Sequence, residues 1–221
     1  MILTEKTVLR KILMAVTGSI LILFVLAHML GNTTFFAGPE GINAYAKHLK
    51  DLWPLLWAER IGVGAALILH VWMGITLTLE NRRSKASRYA VRKYQRADIA
   101  SRTMIYTGLV LLAFIIFHLL HFTLGVINPE LYHITDASGR HDVYTMGAKS
   151  FQNFFIALIY IAAMIVLLTH LWHGVASFFQ TMGWNADWTM ALTENGGRTI
   201  AVIVSLGFIS VPGTFFLLGL M

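Results

Sequence analysis

The chain has 221 residues, of which 57% are hydrophobic and 13% are charged, about half the ~25% charged fraction of a soluble domain. This excludes a soluble enzyme and points to an all-α integral membrane protein, a single transmembrane domain over residues 1–221 with little room for a second, soluble one. The lack of cysteine excludes cysteine-ligated iron–sulfur clusters, thioether-attached haem and disulfides.

Five apolar stretches are long enough to cross a bilayer, which takes ~20 residues. They are expected at about 12–31, 56–79, 103–126, 152–180 and 199–220. The first follows Arg10 and Lys11 and holds Thr17, Gly18 and His28. No small-residue cleavage site follows it, so it is expected to stay as a mature helix rather than leave as a signal peptide. The connection 32–55 carries a Gly38-Pro39 turn, His48 and Trp53, with Trp57 just beyond; these tryptophans fit an interfacial anchor. The second span holds His70-Val71-Trp72-Met73-Gly74. The third holds Thr107-Gly108, His118 and His121. The connection 127–150 has turns at Asn128-Pro129 and Ser138-Gly139, and contains His133 and His141. Both long connections are expected to form short interfacial helices. The fourth span holds His170-Leu171-Trp172-His173-Gly174, and Trp184 and Trp188 follow it as anchors. The fifth has no histidine.

Charge sets the expected topology. Eight of the seventeen Lys/Arg fall in 80–102: Arg82, Arg83, Lys85, Arg88, Arg92, Lys93, Arg96 and Arg102. With Lys6, Arg10, Lys11 and Arg198 they place twelve cations on one side of the bundle and five on the other. The positive-inside rule puts the N-terminus in the cytoplasm and the C-terminus outside, in the cytoplasmic membrane. The basic run is first a topology determinant; it also suits docking of a soluble partner or of acidic headgroups. A short loop between two spans does not suit nucleic acid.

Histidines at membrane depth are expensive and tend to mark function. Here they come as two pairs of matched motifs. Thr-Gly is followed by His eleven residues after the Thr, as Thr17-Gly18 to His28 and as Thr107-Gly108 to His118. His-x-Trp-x-Gly occurs at His70–Gly74 and at His170–Gly174. At ~1.5 Å per residue from the basic flank, or for His170 from the polar break at Gly183, His28 and His118 lie ~25 and ~24 Å deep, and His70 and His170 ~18 and ~20 Å. The first two form an outer pair and the last two an inner pair. A haem iron held on both faces takes two neutral imidazoles from opposing helices, so two pairs at two depths suit two haems. Gly18 and Gly108 then offer a smooth patch two to three turns inward for approach of the other macrocycle. Gly74 and Gly174, one turn below their histidines, leave space for a porphyrin edge. Taken singly, each glycine also reads as ordinary helix–helix contact.

His118 and His121 are three apart, as are His170 and His173, and either member of each pair can point inward. Motif matching selects His118 and His170. His121 and His173 are left to bond a carbonyl, a propionate or a quinone. His48, His133 and His141 sit in connections, where solvent exposure is the default.

The whole chain resembles the dihaem cytochrome b membrane-anchor subunit of succinate dehydrogenases and quinol:fumarate reductases. The resemblance is carried by the five-span layout, His28-Met-Leu-Gly-Asn32, His48-Leu-Lys-Asp51, His70, Thr107-Gly108 to His118, and His170-x-x-x-Gly174. It implies two haems b, a distal one on His28 and His118 and a proximal one on His70 and His170. It implies partners too: a flavoprotein with FAD that interconverts succinate and fumarate in the respiratory and tricarboxylic acid cycle chemistry, and an iron–sulfur protein that passes electrons to the anchor. The lipid-soluble acceptor it implies is menaquinone. Some members carry an acidic residue, linked to proton movement, two positions before the fourth ligand. This chain has Leu168 there.

Other readings compete. Cytochromes b of hydrogenases and formate dehydrogenases commonly place two ligands on one helix, whereas here there is one motif in each of four spans. A His-lined metal or proton transporter predicts carboxylates among the histidines, and none of these spans has a central one. A haem-free anchor leaves the histidines unexplained.

Overall fold

The computed structural model describes residues 7–83, 99–184 and 186–219. Lys6 and, in the basic connection, Lys85, Arg88, Arg92, Lys93 and Arg96 lie outside the described residues, as does the side chain of Trp188. Helix α1 runs Thr7–Asn32 and passes through a 3-10 turn, Thr33–Ala37, into α2, Gly38–Asp51. Then come α3 (Trp53–Arg83), α4 (Ile99–His118) with a π-helical extension Leu119–Thr123, α5 (Pro129–Tyr132), α6 (Val143–Gln152), α7 (Phe154–Thr181) and α8 (Asp187–Leu218). Among the described residues there is no strand, only an isolated bridge between Thr135 and His141. Among the described residues, five helices are long and apolar enough to cross a membrane, so the protein is an all-α, multi-pass membrane protein. This is what lipid demands, because a helix satisfies its backbone polar groups internally.

Two antiparallel hairpins form the frame, α1 against α3 and α4 against α7. They meet chiefly through α1 and α7, while α3 and α4 touch little. The fifth span, α8, packs most extensively on α7 and also reaches α1. Small side chains allow that approach: Ala201 is fully buried, and a Cβ added at Gly197 would stand 3.0 Å from Val175 Cβ. Leu168 belongs to this α1–α7–α8 packing, beside Leu171 and Val204. Its α7 position is therefore filled with apolar contact.

The end of the bundle where α1 starts is called the N-face, and the opposite end the loop face. At the N-face, Arg10 is buried and makes an ion pair with Glu80, which ties the start of α1 to the end of α3. The loop face is capped by α2, α5 and α6, the short helices expected in the two long connections. Asp142 starts α6 by accepting from Thr145 N at 3.0 Å, and Asn153 starts α7 by accepting from Phe155 N and Ile156 N. Asn43 pins α2 to the cap: Nδ2 donates to Asp142 Oδ1 at 3.0 Å and to Asp136 Oδ2 at 3.3 Å, and Oδ1 accepts from Tyr144 N. Arg140 bridges Glu40 and Asp136.

Asn43 is 1% exposed, and removing it leaves its partners without that bond. Asn43→Ala is therefore expected to cost about 1–3 kcal/mol, read by denaturant unfolding of the detergent-solubilised chain. Burial alone would raise the Asp136 carboxyl, but the Arg140 side chain and the amides of Arg140 and Ser138 outweigh it and hold it below its ordinary 3.8. A depressed folded pKa means the contribution is complete above that value and is lost as pH falls below it. The cap is thus expected to survive at pH 5.

Element ends differ from the sequence expectation in one instructive place. α8 begins at Asp187, a dozen residues before 199, because Asp187, Glu194 and Arg198 depress hydropathy without opposing helix; Glu194 and Arg198 form an i,i+4 pair at 3.6 Å. Trp53, Trp57 and Trp184 are exposed, as anchors must be. His48 and His133 are exposed as expected. His141 is not: it is half-buried, with Nε2 2.6 Å from the Tyr132 carbonyl oxygen.

Candidate functional site: two cross-hairpin histidine pairs

The structure places His28 on α1 against His118 on α4, with ring centroids 5.9 Å apart and planes at 77°. It places His70 on α3 against His170 on α7, at 6.5 Å and 68°. Each pair takes one helix from each hairpin, so the imidazoles meet across the interface between hairpins. The first pair lies toward the loop face and the second toward the N-face.

The Thr-Gly motif serves a purpose that matching within helices does not reveal. Thr17 Oγ1 lies 3.4 Å from Nδ1 of His70, its neighbour within the α1/α3 hairpin. Thr107 Oγ1 lies 3.0 Å from Nδ1 of His170, its neighbour within α4/α7. Each hydroxyl also reaches its own helix: Thr17 donates to Leu13 O at 2.7 Å, and Thr107 to Met104 O at 3.0 Å. With its proton committed there, the Thr oxygen is free to accept an imidazole Nδ1–H, and a ring so held would keep Nε2 as its lone-pair nitrogen; His70 also bonds the Met14 backbone. The adjacent glycine makes room for the ring: a Cβ at Gly18 would stand 3.1 Å from His70 Cε1, and one at Gly108 3.3 Å from His170 Cε1. Thr17, Gly18, Thr107 and Gly108 therefore seat the histidine itself, where the sequence reading gave the glycines to a passing macrocycle.

The remaining glycines split. A Cβ at Gly74 would meet Met14 Cε at 3.2 Å, the flexible end of an α1 side chain, so helix packing explains it. A Cβ at Gly174 would meet nothing within 4 Å. The two His-x-Trp-x-Gly motifs also diverge at Trp. Trp72 is 61% exposed, whereas Trp172 is partly covered and lies under the Arg198 guanidinium, 5.4 Å from the ring centre. The cause is α8, which covers α7 and leaves α3 to lipid.

Aromatic rings wall the loop-face pair. Phe24 stacks on His28 at 5.5 Å and Phe208 lies at 5.7 Å; Phe114, Phe122 and Tyr160 surround His118. Asn32 Nδ2 donates to the His28 backbone carbonyl at 2.8 Å and stands 3.4 Å from His28 Nε2. His118 Nδ1 lies 3.4 Å from the Tyr160 hydroxyl. His121 is set apart from the four: it is 2% exposed, and both its nitrogens are engaged, by Tyr160 at 3.0 Å and by Ser150 at 3.2 Å. The four paired histidines are only half-buried. Sequence reasoning missed Asn32, Ser150 and Tyr160 as neighbours of the site.

The donor set can be tested against possible guests. Among the described residues, no three of His, Cys, Asp and Glu converge as a metal site. A bare ion would find two imidazoles and little else, whereas a porphyrin brings four equatorial nitrogens of its own. An imidazole nitrogen binds a first-row metal at ~2 Å and the ring centre lies ~1 Å further, so two opposed axial imidazoles have centroids ~6 Å apart. The observed 5.9 and 6.5 Å fit that spacing. The residues present therefore suit two haems, one that His28 and His118 would hold and one that His70 and His170 would hold.

Thr17 marks the height of one pair on α1, and His28, eleven residues on, marks the other. Thr107 and His118 do the same on α4. Both helices give a separation of ~16 Å between sites, about half of a ~30 Å hydrocarbon core.

Comparison with known proteins adds no relative: no family model, no curated protein and no solved structure matches the chain.

Proposed function

We propose that the chain is the membrane-anchor and electron-transfer subunit of a succinate:quinone oxidoreductase, a dihaem cytochrome b. The observation that carries the dihaem reading is the pair of cross-hairpin histidine couples, with ring centroids 5.9 and 6.5 Å apart. Bound haem would supply the one-electron chemistry, between an iron–sulfur partner at the N-face and menaquinone in the bilayer. The chain's own part is to hold and orient. His28 with His118 would hold one haem, and His70 with His170 the other. Thr17 and Thr107 would hold the N-face imidazoles in the Nδ1–H tautomer. Gly18 and Gly108 let those rings lie close to the helices, and aromatic rings flank the loop-face pair.

The step from dihaem cytochrome to this enzyme class rests on the residue resemblance and on one ligand in each of four spans. The latter disfavours the hydrogenase and formate dehydrogenase type. The flavoprotein with FAD and the iron–sulfur protein would dock at the N-face, the side that the positive-inside rule would turn to the cytoplasm. No dicarboxylate chemistry falls to this chain.

The first test is a reduced-minus-oxidised optical spectrum with haem quantified per polypeptide, on the chain purified from membranes with whatever accompanies it. Two b-type haems per chain and a copurifying flavoprotein and iron–sulfur protein are expected. Two haems with a hydrogenase or formate dehydrogenase subunit would move the protein to that class. A chain without haem would return the transporter reading to first place.

A further inference from the structure

Three of the four paired imidazoles are backed at Nδ1, and one differs in kind. His70 and His170 rest on threonines whose protons go straight to the helix backbone. His118 rests on Tyr160, which begins a longer line. The Tyr160 hydroxyl stands 3.4 Å from His118 Nδ1 and 3.0 Å from His121 Nδ1, and His121 Nε2 stands 3.2 Å from Ser150 Oγ. This line runs from α4 to α7, back to the π-helical segment after α4, and on to α6. Tyr160, His121 and Ser150 are 7%, 2% and 0% exposed.

Donor counting gives the line one direction. If His118 Nε2 faces a metal, Nδ1 carries the proton and donates to the Tyr160 oxygen. The phenol has one proton, which then goes to His121 Nδ1. His121 donates from Nε2 to Ser150 Oγ. Apart from His118 Nε2, every side-chain nitrogen and oxygen in the line has a partner, and each bond polarises the next. A histidine buried among Phe117, Phe122 and Tyr160 is a costly way to fill space, since its polar atoms must all be satisfied. Phe or Leu would fill the same space without that requirement. What the imidazole adds is a fixed acceptor for the tyrosine proton. The π-helical turn, a feature frequent at functional sites, carries His121.

We infer that Tyr160, oriented by His121 and Ser150, is the positioning residue that sets the reduction potential of the loop-face haem and leaves the N-face haem untouched. The inference rests on the dihaem reading above. The physical link is ligand basicity: an Nδ1–H held by a polarised phenol oxygen makes Nε2 the stronger donor, which favours oxidised iron. Weakening the line should therefore raise the potential of that one haem.

The experiment is redox potentiometry on membranes carrying the intact chain, with the loop-face signal identified as the one lost in His118→Ala. Tyr160→Phe keeps the ring and removes the hydroxyl. It is expected to favour reduction of the loop-face haem about tenfold, ~59 mV for one electron, with the other potential unchanged. The ferric electron paramagnetic resonance signal of the same haem should shift. Thr107→Val, the corresponding change at the N-face pair, should move only the other potential. If Tyr160→Phe loses the loop-face haem outright, Ser150→Ala decides, since it acts at the far end of the line: a smaller upward shift supports the inference and an unchanged potential overturns it. Two retained haems with both potentials unchanged in Tyr160→Phe overturn it while leaving the dihaem reading intact. Absence of haem from the unaltered chain overturns both.

Discussion

Replacing His70 or His170 by alanine is expected to remove the same one of two b-type haem signals, and replacing His28 or His118 the other. The reason is geometric. His70 and His170 face each other at 6.5 Å, and His28 and His118 at 5.9 Å. The two sites stand ~16 Å apart along α1 and along α4, so no imidazole of one pair can substitute in the other. Each single variant should keep one haem per chain, lose the second by at least tenfold, and abolish electron transfer to quinone through the chain. Pyridine haemochrome quantification and low-temperature difference spectra read this directly. Different signals lost in His70→Ala and His170→Ala would break the pairing. His121→Leu is a useful contrast: its nitrogens are spent on Tyr160 and Ser150, so both haems should remain.

The pairing was legible from the sequence because depth along a helix is a count. Each histidine lies a fixed rise from a basic or polar boundary, and four such counts sort into two heights. The fold class was legible for a similar reason: each span is a long apolar run, and lipid leaves few alternatives to a helix. What lay beyond the sequence depends on register between helices. Thr17 and His70 are fifty-three residues apart, and their contact requires the antiparallel offset of α1 against α3. The sequence showed that Thr-Gly recurs; it did not show what sits opposite. Tyr160 carried no signal at all, being one of seven tyrosines in a hydrophobic run. The π-helical segment at Leu119–Thr123 has no pattern that separates it from α-helix. The early start of α8 was hidden because hydropathy reports lipid exposure, while helix continues through Asp187 and Arg198 outside that band.

Gly174→Val is expected to separate haem binding from helix packing more sharply than any ligand change. Gly174 lies one turn from His170 on the same α7 face, and an added Cβ there meets no protein atom within 4 Å. By protein contacts alone, the substitution should be nearly silent, within ~0.5 kcal/mol in the haem-free chain. If the edge of a porphyrin lies against that glycine, a branched side chain displaces it. The N-face haem should then fall about tenfold in occupancy while the loop-face haem stays. Gly62 makes the control, because a Cβ there also meets nothing within 4 Å and it lies two turns from His70, on the loop-face side of it. Gly62→Val should leave both haems in place. Equal haem content in the two variants would return Gly174 to the ordinary small residues of membrane helices and would leave the macrocycle of the N-face site without a seat on α7. Selective loss would locate the macrocycle beside α7 through a residue that neither binds metal nor makes a hydrogen bond.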